Sequence, residues 1–90
     1  MAMTMEDRFG ANLRRLRGDL GLSQEDLAWR AQIHRTQVSL LENGNRLPRF
    51  FTLIKLAGAL GVTPNDLTEG ITWTPAEFQP GSIVVGEGGS

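Results

Sequence analysis

The chain has 90 residues, no cysteine, one histidine and a formal net charge of −1. That length supports one domain, the lack of cysteine excludes disulfides and thiolate metal sites, and no apolar run approaches the roughly 18 residues of a membrane span. The net charge hides an asymmetry: all nine basic residues fall between Arg8 and Lys55, whereas only acids (Asp66, Glu69, Glu77 and Glu87) follow residue 60.

The start of the chain has neither the basic residues nor the apolar stretch of a secretion signal, so a cytoplasmic protein is expected. The pattern predicts a folded unit over 5–70 and a tail over 71–90. A first helix is predicted from Glu6 to Leu20, because Phe9, Leu13, Leu16 and Leu20 fall on one helical face. Gly21 stops it. A second, short helix follows Ser23, a good N-cap with Asp26 placed to reach back in a capping box, and ends near Ala31. Gln32-Ile33 makes a tight turn. A third helix then runs from about Arg35 to Asn43 with Val38 and Leu41 inward, and Asn43-Gly44-Asn45 is a turn signal.

Pro48 precedes a fourth helix, Arg49 to Leu60, whose inward set is read as Phe50, Leu53, Ile54, Ala57 and Leu60. Thr63 caps a fifth helix with Pro64 at its first position and Leu67 toward the core. The tail alternates like a strand over Ile71-Thr72-Trp73. Thr74 to Glu77 carries a capping-box pattern for one helical turn, and Ile83-Val84-Val85 reads as a second strand. Trp73 and Phe78 add apolar weight, with Trp73 expected on the body and the Val84 segment expected to pair with another strand, from this chain or a partner. The last residues, Gly86 to Ser90, read as flexible.

Five short helices with a brief turn between the second and third match a helix-turn-helix plan. Three blocks occur in order: Gly21-Leu22-Ser23-Gln24-Glu25-Asp26-Leu27-Ala28, then Val38 through Glu42-Asn43-Gly44-Asn45-Arg46-Leu47-Pro48, then Leu56-Ala57-Gly58-Ala59-Leu60-Gly61-Val62. Over about Phe9 to Gly70 the chain resembles the phage repressor and Cro-type helix-turn-helix regulators, the xenobiotic-response-element family. The resemblance implies an all-α, five-helix, lambda-repressor-like DNA-binding domain with a short C-terminal tail able to add a strand.

In that arrangement the second helix crosses the DNA backbone and the third enters the major groove. Arg35, early in the third helix, is the leading base reader, since its two donors can meet guanine O6 and N7; a phosphate contact is the alternative. Thr36 matches a base-contacting position of the family. Gln37 could read adenine or bind phosphate. Leu40, about 100° around the helix from the core position Leu41, stands where the family contacts bases, and its other reading is the edge of the core. Gln24, Ser39, Asn43, Arg46 and Arg49 are expected at phosphates. Arg17 and Glu42 match an ion pair that the family places between the first and third helices.

Departures from the pattern are Gln32, where the family usually has glycine; His34, where the cap is usually serine or threonine; and Trp29 at an outward position, read as the edge of the core. One histidine, no cysteine, no base beside Ser23 or Ser39 and no phosphate loop argue against an enzyme. No metal or cofactor is expected. The expected partners are double-stranded DNA and a second copy of the chain, with no membrane. The reading implied is a regulator binding a near-palindromic operator as a homodimer, most simply a repressor. The alternative is a protein-interaction module or antitoxin-type partner that keeps the fold without reading an operator.

Overall fold

The capping signals legible in the sequence set the helix boundaries. In the computed structural model, which describes residues 3–77 and 79–86, the helices are α1 (Met5–Asp19), α2 (Gln24–Ala31), α3 (Arg35–Glu42), α4 (Phe50–Leu60) and α5 (Pro64–Leu67). Full capping boxes open α1, α2 and α5: Thr4 with Asp7, Ser23 with Asp26, and Thr63 with Asp66. Each box satisfies two backbone donors that a helix start leaves without intrahelical partners. The Thr4 box starts α1 one residue earlier than its apolar spacing suggests.

The five helices enclose one core of Phe9, Leu13, Leu27, Ala28, Ala31, Val38, Leu41, Leu56, Ala57, Leu60 and Leu67. Three expectations about that core are corrected. Leu20 is 51% exposed, because it is the C-cap of α1 and the chain turns away at Gly21. In α4, Phe50 and Ile54 are exposed while Leu56 is fully buried. Only Thr52 and Lys55 of its eleven residues are polar, so apolar spacing gives the helix no preferred phase. Trp29 is 82% exposed, well outside the core edge.

Two close-range features lock α1 to its neighbours. Asn12 is buried at 1% exposure and donates from Nδ2 to the carbonyls of Leu67 (3.0 Å) and Glu69 (2.9 Å), tying α1 to the end of α5. Gly10 sits where a Cβ would lie 2.5 Å from the Leu41 carbonyl oxygen and 2.6 Å from that of Glu42. A glycine in mid-helix costs about 1 kcal/mol relative to alanine; here it lets α1 lie directly against the end of α3.

After α5 come two strands, β1 (Ile71–Thr74) and β2 (Ser82–Val85), paired antiparallel with Ile71 opposite Val85 and Trp73 opposite Ile83. The Val84 segment therefore pairs within its own chain, with Thr72. Trp73 does not pack into the body: it is 61% exposed and its ring lies over Gly81, where a Cβ would be 2.5 Å from Cζ2. The helical turn expected at Thr74–Glu77 does not form, because Thr74 is committed to the ladder opposite Ser82. The expectations for Phe78 and for 87–90 lie outside the described residues. No helix among the described residues is long and apolar enough to cross a membrane.

Candidate nucleic-acid interface

The turn between α2 and α3 is built on one left-handed residue. Gln32 closes α2 with φ 54° and ψ 50°, and is the only non-glycine described residue with positive φ. Left-handed backbone costs a side chain with a Cβ roughly 1–2 kcal/mol, which accounts for the usual preference for glycine there. Ile33 then donates from its backbone N–H to the carbonyl of Ala28 at 3.0 Å, folding the chain back so that α3 starts at once. His34 is the N-cap of α3 but makes no side-chain capping bond.

With Val38 and Leu41 buried, α3 turns its polar side outward. Arg35 and Thr36 are exposed, and Gln37, Ser39 and Leu40 are half-buried. Leu40 thus stands between its two readings, with part of its side chain open on the outer side. Arg46 and Arg49 are exposed in the connection to α4, where Gln37, Arg46, Arg49 and Thr52 line one cleft over Leu41, Leu47 and Pro48. Arg49 is also the N-cap of α4, without a side-chain capping bond.

The charges divide cleanly. Arg14 and Arg17 bond Glu42, Arg15 bonds Glu69, Arg30 donates to the Ala59 carbonyl and Lys55 to that of Gln32. Among the described residues, Arg35, Arg46 and Arg49 make no ion pair, and all three are on α3 or the segment that leaves it. An exposed arginine without a carboxylate keeps its full fork of donors for a phosphate or a guanine edge.

Beneath this face lies a buried carboxylate. Glu42 is 6% exposed. Arg17 grips it bidentately, Nε to Oε2 at 2.6 Å and Nη2 to Oε1 at 2.9 Å, and donates from Nη1 to the Leu22 carbonyl at 2.7 Å. Gln24 adds a bond from Nε2 to Oε1 at 3.1 Å, and Arg14 a longer one at 3.5 Å. Burial pushes the Glu42 carboxyl up, but the hydrogen bonds from Arg17, Gln24 and Arg14 and the Arg17 charge outweigh it and hold the pKa below the usual carboxylate range. The same bond raises the Arg17 guanidinium. Residues of α1, α2 and α3 thus meet on one anion, which fixes how far α3 projects.

Two of the expected phosphate contacts are already engaged inside the molecule. One Nδ2 or Nε2 group carries two N–H donors. Gln24 spends one on Glu42 and keeps one for a ligand, beside the N–H groups of Gln24 and Glu25 that open α2. Asn43 accepts from Arg14 Nη2 at 3.1 Å and donates to Ser39 Oγ at 3.4 Å, so Ser39, Asn43 and Arg14 form a row along the end of α3. Sequence reasoning missed Arg14, and its only signal was one helical turn of separation from Arg17.

An all-helical body that presents a polar, cation-flanked helix after a tight turn defines a DNA-binding regulator of the helix-turn-helix class. The chain belongs to the helix-turn-helix domain family, whose model matches residues 8–69. It is 40% identical over 73 residues to the HTH-type transcriptional regulator y4dJ of Sinorhizobium fredii, covering 81% of this chain and 95% of that protein. It is 39% identical over 62 residues to the control protein C.BamHI of Bacillus amyloliquefaciens, covering 68% of this chain and 76% of the relative. Among solved structures, the restriction-modification controller protein C.AhdI from Aeromonas hydrophila superposes with a TM-score of 0.67 at 40% identity, covering 69% of this chain and 94% of the other. The matched family region ends before β1.

Proposed function

We propose that the chain is a non-enzymatic, cytoplasmic repressor that binds a near-palindromic operator as a homodimer, with α3 of each copy in the major groove. The observation that carries this reading is the set of unpaired arginines, Arg35, Arg46 and Arg49, gathered around the polar side of α3 while the other cations have partners. Arg35 and Thr36 at the start of α3 read bases, with Gln37 and Leu40 beside them. Gln24, Ser39, Asn43, Arg46 and Arg49 hold phosphates and set the register. A repressor of this kind acts by occupying a site that polymerase needs. The similarity to two restriction-modification control proteins supports a place in the timing of such a system.

Two copies would set their α3 helices about 34 Å apart, one turn of DNA. Selection of bound sequences from random DNA tests this directly, and the expected result is two inverted half-sites at that spacing. Affinity for the selected site should fall about 10³-fold between 50 and 200 mM salt if about six phosphates are neutralised. Arg49→Ala should weaken binding to all sequences alike and lower the salt slope by about 1. Recovery of no consensus, with no salt-dependent binding, would favour the interaction-module reading.

A further inference from the structure

α4 carries a surface that nothing in the monomer covers. Phe50, Ile54 and Gly58 follow one another at i, i+4 and i+8, so they form one row along the helix. Phe50 is 77% exposed, Ile54 42%, and the neighbouring Phe51 69%. A Cβ placed on Gly58 would meet nothing within 4 Å. The one charge of the helix, Lys55, leans away from this row: its Nζ stands 4.8 Å from the centre of the Phe51 ring and donates to the Gln32 carbonyl at 3.4 Å. A helix that is apolar on nearly every side is normally buried on nearly every side.

We propose that this row is the self-association surface of the protein, two α4 helices packing antiparallel about a two-fold axis at Ile54. The inference rests on the homodimer reading above and names its contact. An isologous interface needs one patch to complement itself, so residue i meets j and j meets i. An axis at Ile54 sets Ile54 against its own copy and Phe50 against the partner's Gly58, four residues away on either side. The largest exposed side chain of the row then lies over its most open backbone, twice, by symmetry. At roughly 200 Å² per large side chain, the exposed parts of Phe50, Phe51 and Ile54 give about 350–400 Å² of apolar surface per copy. That is about half of the roughly 800 Å² per partner of a stable interface, in line with an apolar centre inside a polar rim.

The chain has no cysteine, so single-cysteine variants report this contact without background. Facing side chains of two helices about 8–10 Å apart can bring their Cα atoms into the roughly 4.4–6.8 Å range of a disulfide. Ile54→Cys should oxidise to a covalent dimer. Phe50→Cys and Gly58→Cys should cross-link when mixed, and an Ala11→Cys control on the exposed side of α1 should not. In sedimentation, Ile54→Glu and Gly58→Leu should weaken the dimer about tenfold or more with unchanged helical circular dichroism. If the wild type is a dimer, yet both variants still dimerise and Ile54→Cys does not cross-link, this contact is overturned and the operator-dimer reading stands. If the wild type is a monomer in solution and binds its site one copy at a time, both are overturned.

Discussion

Replacing Glu42 with alanine is expected to lower the unfolding free energy by about 3–5 kcal/mol, the cost of leaving one member of a buried ion pair alone. A domain of this size holds on the order of 5–10 kcal/mol in total, so the variant should be close to unfolded at 37 °C. Arg17 would keep its bond to the Leu22 carbonyl but would lose the anion that it grips. Urea denaturation followed by helical circular dichroism measures the loss. Replacing both partners, Arg17→Met with Glu42→Leu, should recover much of it, because then no charge is stranded. The pair also sets an acid limit. Glu42 has a folded-state pKa below its unfolded value, so its contribution is complete above the unfolded value of about 4.3 and is lost as pH falls through the folded one. Wild-type stability should therefore drop as pH falls below about 4.3, and that drop should be shallower in the alanine variant. A Glu42→Ala protein as stable as wild type at pH 7 would remove Glu42 from the role of fixing α3.

Arg35→Ala should cost about 1–3 kcal/mol of discrimination at one base position of each half-site, roughly 5- to 150-fold for each copy bound. The side chain is exposed and has no intramolecular ion pair, so its removal should leave the fold unchanged and appear only in DNA binding. Competition between the selected site and single-base variants separates the two roles open to this residue. A base reader gives a variant indifferent at one position. A phosphate contact gives uniform weakening, as expected for Arg49→Ala. Leu40 offers a companion test, since Leu40→Ala should affect a thymine position if its open part meets a methyl group and otherwise should mainly lower stability.

Much of this architecture was legible because its signals are local. Ser23 with Asp26 and Thr63 with Asp66 each place a helix start through bonds spanning three residues. In α3, polar residues surround Val38 and Leu41, so only one phase of the helix buries apolar surface. The left-handed bend at Gln32 followed from a family pattern and is present without the glycine. What escaped was set by how elements meet. α4 has apolar residues in almost every direction, and only its packing against α2 and α5 selects Leu56 over Phe50 and Ile54. The engagement of Gln24 and Arg14 with Glu42 joins residues 18 and 28 apart, and spacing does not encode that. The alternation in the tail announced strands but not their partners, since a strand pairs equally well within a chain or between chains.

The exposure of Trp29 and Trp73, at 82% and 61%, has a practical side. With no tyrosine in the sequence, these indoles supply all of the near-ultraviolet emission beyond that of phenylalanine, and both are bathed in water before any denaturant is added. Native fluorescence should sit close to the wavelength of hydrated indole and shift little on unfolding. The chain's intrinsic dyes are blind to its core, but well placed to sense whatever comes to cover the outer side of α2.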